Sequence, residues 1–226
     1  MEQVEAENSL RENLDVDSSF EGPCKITCSG SLATRFYPML LQLQKQHRKL
    51  QISLEAAPNE TSVKLVKENK CDIGLVTCIV DDTEVQAKEL GYEALCLALP
   101  IGSSSAWSNL MNLGYIDHPN GAHYADQVLG QNYKDDFTGF KQIPTRGYIN
   151  QLNQILLPVA QGLGFTVLPE STVDQYPDAN VIRKASLNNQ CQETYYLITK
   201  KYKPLPSRYR LLDKCFKQLF PINIED

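Results

Sequence analysis

The sequence predicts an α/β protein built as two lobes joined by two long strands. Three observations predict it. From Cys24 onward, strand-like and helix-like apolar periods alternate in the order β-α-β-α-β. The same order returns between Leu113 and Pro169, with matched architecture and no shared sequence period. Two further strand-like runs, "YEALCLALP" and "ETYYLITK", stand outside both series, where crossovers between lobes belong.

In chain order, residues Met1 to Phe20 are rich in Glu, Asp, Asn and Ser, with Val4, Leu10, Leu14 and Val16 as their apolar surface. This is a lead-in outside the core, a frayed helix or a disordered segment. "CKITC" reads as the first strand. "SLATRFYPMLLQLQKQH" follows, with Leu32, Phe36, Leu40 and Leu43 on one helical face. Ser31 is placed to cap this helix, and Pro38 inside it predicts a kink or a later start. "LQISLEAA" alternates as a strand does, "ETSVKLVKEN" is a short helix that Thr61 or Ser62 can cap, and "CDIGLVT" is a buried strand. This order favours a parallel sheet covered by helices.

In the second series "LGYIDH" is a strand, "GAHYADQVLG" a helix, and "DFTGFKQIPT" a strand. "GYINQLNQILLPVAQG" is a helix distorted at Pro158, and "LGFTVLP" is the closing strand. Gly162 is suited to end that helix in a left-handed conformation, and Gly164 lets the chain re-enter the sheet with no side chain in the way. The last helix, "SRYRLLDKCFKQLF", puts Tyr209, Leu212, Phe216 and Leu219 on one face and returns to the first lobe. The expected division is 1–21 as lead-in, 22–95 with 200–226 as lobe I, and 96–199 as lobe II.

Composition narrows the function classes. The 226 residues are 42% hydrophobic and 22% charged, enough for a packed core. No run is long and apolar enough to span a membrane, and the acidic start with Glu2 and Glu5 does not read as an export signal. The net charge of −5 disfavours a phosphate backbone as partner. Lys200, Lys201, Lys203, Arg208 and Arg210 read as a solvated face rather than a nucleic-acid footprint. Seven cysteines, an odd number in mostly apolar settings, read as free thiols of a reducing cytoplasm. Cys24 and Cys28 have a poor metal spacing and read as small buried residues, with Cys28 at a strand end near the expected site.

In parallel α/β sheets ligands bind beyond the carboxyl ends of the strands, at lobe boundaries. Those ends supply the candidate ligand-binding residues: Ser29, Gly30 and Ser31, then Thr61, then Thr77 and Cys78. In the second lobe they are Asn120 and Gly121, then Arg146, Tyr148 and Ile149. Several are helix starts, where free N–H groups and the dipole suit an anion such as a carboxylate. Each also has a plainer role: Ser31 and Thr61 as caps, Gly121 as a turn, Arg146 as a solvated charge, Tyr148 as packing. No catalytic residue, cofactor or metal is expected. "GSSSA" lacks the closing glycine and strand-to-helix setting of a nucleophile turn, and His118, His123 and Asp117 are too loose for a metal.

The ordered segments resemble the effector-binding domain of LysR-type transcriptional regulators over about residues 22 to 220. "CKITCSGSLATRFYPMLLQLQKQHRKLQISLEAA" resembles that family's opening strand, helix and second strand. "LVKENKCDIGLV" resembles its leucine-x-x-glycine-x-x-aspartate segment, with Asn69 and Lys70 where glycine and a variable residue are common. "LPVAQGLGFTVLPE" resembles its valine-alanine-x-glycine-x-glycine-isoleucine-x-x-leucine-proline signature, and "YYLITKKYKPLP" its closing strand and loop. The usual His-Pro after the first crossover is replaced by "LPIGSSSAW". The resemblance implies two Rossmann-like lobes of the type 2 periplasmic-binding-protein-like fold, with a small effector held between them. It further implies a homodimer or tetramer through the lobe helices, pairing "RFYPMLLQLQKQH" with "NQLNQILLPVAQ" of a mate. DNA binding is expected only through a winged helix-turn-helix domain absent from this chain, the first residues resembling the tail of a linker helix. A cytoplasmic place follows. The rival reading, a free-standing solute-binding protein, shares the fold and needs an export signal.

Overall fold

A computed structural model describes residues 18–78 and 80–220. In chain order the elements are β1 (Gly22–Cys28), α1 (Gly30–Gln46), β2 (Leu50–Ala56), α2 (Asn59–Lys67), β3 (Ile73–Val76) and β4 (Val85–Pro100). Next come α3 (Trp107–Leu113), β5 (Tyr115–Asp117), α4 (Gly121–Asn132), a 3-10 turn (Phe140–Gln142) and β6 (Thr145–Tyr148). A 3-10 turn (Leu152–Gln154), α5 (Leu156–Ala160), β7 (Thr166–Pro169), α6 (Glu170–Asp174) and β8 (Ile182–Lys184) follow. The chain closes with β9 (Cys191–Lys200), a 3-10 turn (Ser207–Leu212) and α7 (Asp213–Leu219). The lead-in expected over 1–21 lies outside the described residues as far as residue 17. Residues 18–21 form no helix or strand.

The chain divides into two compact units: the part ending at Leu90 together with that from Tyr196 onward, and the part Gly91–Tyr195. β4 and β9 each run through both units; β2, β1, β3 and β9 lie side by side in the first, and β7 and β8 pair with β4 in the second.

In the first unit β1 lies between β2 and β3, parallel to both, so Cys28 is flanked by Ala56 and Leu75. β9 closes this block antiparallel to β3. The expected stripe of α1 is buried at Leu32, Phe36 and Leu40. Burying each such side chain contributes about 1.5–3 kcal/mol. The Phe36 ring meets Phe216 of α7 at 5.6 Å, and Tyr209, Leu212 and Leu219 are buried beside it. Pro38 neither delays nor ends α1, which runs unbroken from Gly30. The caps differ from expectation. Ser29, not Ser31, caps α1, its hydroxyl accepting from Leu32 N–H at 3.4 Å. Pro58 takes the cap position of α2 with no side-chain bond, and Ser62 is instead buried against Thr27, hydroxyl to hydroxyl at 2.9 Å.

The second unit departs further from the expected regular series. β5 and β6 pair in parallel, but β6 begins only at Thr145. The stretch "DFTGFKQIPT", expected as a strand, is a bend and a 3-10 turn. Phe137, Phe140 and Ile143 stand three apart there, the period of a 3-10 turn, and join the core. The helix expected from Gly147 starts later, because Gly147 and Tyr148 belong to β6. β7 pairs antiparallel with β4 rather than completing a parallel sheet, and Phe165 alone bridges Tyr115 in parallel. The helix-to-strand change after Pro158 follows the expected glycine chemistry. Gly162 has φ +75°, and a Cβ at Gly164 would come within 2.8 Å of Gly114 O and Ile116 Cδ1. Three elements had no counterpart in the expected order: α3, α6 and β8. The "GSSSA" loop anchors neighbours through its backbone, Ser103 O accepting from Arg183 Nε at 2.8 Å and Ser105 O from Tyr133 Oη at 2.7 Å.

Candidate functional site

The first unit gathers its candidate residues at one sheet edge because β1, β2 and β3 are parallel neighbours ending side by side. Ser29, Gly30 and Ser31 follow β1, Thr61 follows β2, and Thr77 and Cys78 follow β3. At the start of α1 the Ser29 and Ser31 hydroxyls hydrogen-bond to each other at 3.1 Å. The first intrahelical bond is Ala33 N–H to Ser29 O at 2.9 Å, so the Gly30 and Ser31 N–H groups lie ahead of the ladder. The first turn of this 17-residue helix contains no acidic side chain. A Cβ built on Gly30 meets nothing within 4 Å, so the backbone there stands open. These features suit an anion at this helix start.

The loops beside it are held rigidly. Asn59 Nδ2 donates to Thr77 Oγ1 at 3.1 Å, and Thr77 N–H donates to Asn59 Oδ1 at the same distance. Asn59, which with Thr61 follows the second strand, therefore sets the position of Thr77. Thr61 is exposed, and Glu60 beside it adds negative charge to the first turn of α2, making this helix start the poorer anion site. Cys28 is fully buried, and burial pushes its thiol up to about 12. It is an inert wall of the strand end. Cys78 is exposed.

In the second unit β5 and β6 pair Asp117 with Tyr148, and Ile149 N–H donates to Asp117 O at 3.0 Å. Asn120 is the cap residue of α4 without a capping side-chain bond; its amide donates to Tyr124 Oη at 3.3 Å. The Asp117 carboxylate occupies the start of α4. Its Oδ1 accepts from His118 N–H at 2.8 Å and packs so closely on Gly121 that a Cβ there would overlap it. Glycine is required at 121 by this contact. Tyr148 is exposed, while Ile149 packs against the apolar cluster around Ile155 and Val159.

Arg146 corrects the sequence-based placement. It lies within β6, not at a helix start, and its guanidinium donates to Leu113 O at 3.1 Å and Asn112 O at 3.0 Å. It thereby caps the carboxyl end of α3, where a cation is favoured. His118 is buried with Nε2 3.0 Å from Val167 O, and burial holds its pKa below the ordinary imidazole value. It is a neutral donor to that carbonyl. Among the described residues no three His, Cys, Asp or Glu side chains gather as a metal site.

The model of the LysR substrate binding domain matches residues 17–221. Among solved structures, a mutant OxyR2 regulatory domain from Vibrio vulnificus shares 14% identity, with a TM-score of 0.72 over 92% of this chain and 99% of that one. A sulfate-bound structure of a mutant of that domain, also from Vibrio vulnificus, shares 14% identity at a TM-score of 0.67, covering 89% of this chain and 96% of that one. A full-length OxyR mutant from Pseudomonas aeruginosa shares 19% identity at 0.70, covering 95% and 75%. No curated protein matches this sequence.

Proposed function

This chain belongs to the LysR substrate-binding domain family, the effector-sensing part of LysR-type transcription regulators, and on that footing we propose that Ser29, Gly30 and Ser31 hold the acidic group of a small metabolite. The family is one of transcription-regulator sensors and not of enzymes, and its members read DNA through a separate N-terminal domain. The observation that carries the site assignment is the start of α1. Two hydroxyls and the N–H groups ahead of the helix ladder stand at the end of β1, with no acidic side chain in the first turn. The start of α4 is the contrary case, since Asp117 already occupies it. Sulfate in the V. vulnificus neighbour supports an anion for this fold. Thr77 is the next contact expected from the same sheet edge. Asn120, Tyr148 and Ile149 form the second unit's own set, suited to hydrogen-bonding and apolar parts of a ligand.

In this reading the domain works in the cytoplasm as a homodimer or tetramer. Its pairing surfaces are α1 and the Leu152–Ala160 stretch, each with exposed apolar side chains: Tyr37 and Leu41 on the first, Leu157 on the second. Leu40 belongs to the core, being fully buried.

A thermal-shift series over small organic acids, amino acids and amines tests the site. A binder raises the midpoint by mass action. Acids are expected to dominate, and Ser29→Ala combined with Ser31→Ala should abolish most of their shift. Full retention of the shift in that double variant overturns the assignment.

A further inference from the structure

On the second unit α4 and β9 bring three polar side chains into a small triangle. His123 Nε2 lies 2.9 Å from Glu193 Oε1. The Gln127 amide nitrogen lies 2.8 Å from the same oxygen and 3.1 Å from His123 Nε2. His123 and Gln127 are four residues apart, so one face of α4 presents both to the strand. The Glu193 side chain is only 2% exposed, whereas that of His123 is 57% exposed, so the cluster has one wet side. Glu193 Oε2 is buried and has no hydrogen-bond partner among the described residues.

With Glu193 ionised, hydrogen atoms cannot bond all three edges of this triangle. If His123 and Gln127 both donate to Glu193, the two nitrogens face each other as donors. If His123 takes the other tautomer and accepts from Gln127, its lone pair faces the carboxylate. If the amide is turned over, its carbonyl oxygen faces the carboxylate instead. Each assignment leaves one edge repulsive. A cation removes the conflict, because all three groups then direct lone pairs at one point, and the otherwise unmatched Glu193 oxygen gains a positive neighbour.

We propose that His123, Gln127 through its carbonyl oxygen, and Glu193 form one face of a binding site for a six-coordinate first-row divalent metal of the Ni2+ or Co2+ kind. With donors about 2.05 Å from the metal, right-angle coordination needs donor–donor edges of about 2.9 Å and tetrahedral coordination about 3.3 Å. The observed edges of 2.8, 2.9 and 3.1 Å match the former. One imidazole with two oxygen donors suits such a metal better than Mg2+, which prefers oxygen alone. Water completes the shell from the side where His123 is exposed. The metal fastens α4, which carries Asn120 at its cap, to β9, the strand that continues into the first unit. The site does not depend on the effector assignment above.

Calorimetric titration of the folded chain with Ni2+, in parallel with thermal melts, tests the proposal. The expected result is saturable binding of a single Ni2+ per chain, a midpoint that rises with Ni2+, and no rise with Mg2+. Loss of an outer-shell partner weakens metal sites roughly 10–100-fold, so His123→Ala and Gln127→Ala should each weaken binding by at least that much. Both variants remove solvent-side groups of α4, and an unchanged circular dichroism spectrum confirms their folding. Exposed Cys78 is the rival ligand, and Cys78→Ser should leave the Ni2+ isotherm unchanged. Absence of saturable binding, equal response to Mg2+, unaltered affinity in His123→Ala, or loss of binding in Cys78→Ser each overturns the site.

Discussion

The Tyr209 phenol donates a 2.7 Å hydrogen bond to Asp72 Oδ2 while accepting one of 2.8 Å from Lys25 N–H. One hydroxyl thus ties the closing turn of the chain to β1 and to the residue just before β3. Burial, and then the negative charge of Asp72, push the phenol well above its ordinary pKa, so it stays a donor. Tyr209→Phe keeps the ring, leaves Lys25 N–H without its acceptor and leaves Asp72 with Lys203 at 3.2 Å, an expected loss of about 1–3 kcal/mol. In urea unfolding this appears as a lower midpoint with an unchanged slope. An unchanged midpoint would show that the bond contributes nothing.

Gly164→Ala tests the passage from α5 into β7. The added methyl meets Gly114 O and Ile116 Cδ1 at 2.8 Å, contacts that a backbone oxygen cannot easily yield. Overpacking of this kind costs about 1–3 kcal/mol. Gly162→Ala is strained for another reason, its φ of +75°, and is expected to fall in a similar range when the two are compared by thermal melt.

Buried His118 gives stability a pH dependence. Its folded pKa lies below the ordinary imidazole value of about 6.5 because burial disfavours the imidazolium. Above that value both folded and unfolded chains hold it neutral. As pH falls through and below it, the unfolded chain takes up a proton that the folded chain resists, so stability declines. The slope of unfolding free energy between neutral and mildly acidic pH should flatten in His118→Gln. An identical slope would assign the effect to other groups.

Arg146→Met should act on stability rather than on ligand affinity. Its two bonds to the carbonyls of Asn112 and Leu113 hold the end of α3; charge-assisted bonds of this type contribute about 1.5–3 kcal/mol, less where solvent screens them. A fall in effector affinity with no change in melting would restore the ligand-contact role that its sequence position suggested.

Alkylation of the native chain should begin at Cys78. It is exposed while the other six cysteines are buried. Burial pushes Cys28 and Cys96 up to about 12, so little thiolate forms at either. Peptide mass mapping after brief iodoacetamide treatment reads the order directly, and early labelling of Cys28 would contradict the packing of β1.

The first unit was legible because its determinants are local. The spacing of Leu32, Phe36 and Leu40, the alternation of β2 and the short apolar run of β3 each lie within one element. The second unit was less so because side chains far apart in sequence decide it. Phe140 is drawn to Tyr115, ring to ring at 5.2 Å, and its stretch, strand-like by composition, closes into a 3-10 turn. Arg146 reaches 33 and 34 residues back to its partners, which no window reveals. In the candidate site, the strand ends followed from alternation and turn residues. The Asn59–Thr77 clasp and the placement of the Asp117 side chain are tertiary facts. The His123–Gln127–Glu193 triangle escaped for the same reason, since its third member lies on β9.

Asp117 has one more effect. By lodging its own carboxylate at the mouth of α4, the second unit comes with a tethered counter-ion already in place. A free acid arriving there would have to evict a group that cannot diffuse away, at an effective concentration no solute reaches. That corner is therefore expected to disfavour anions and to suit alcohols, amides and amines, a consequence of the missing methyl group at residue 121.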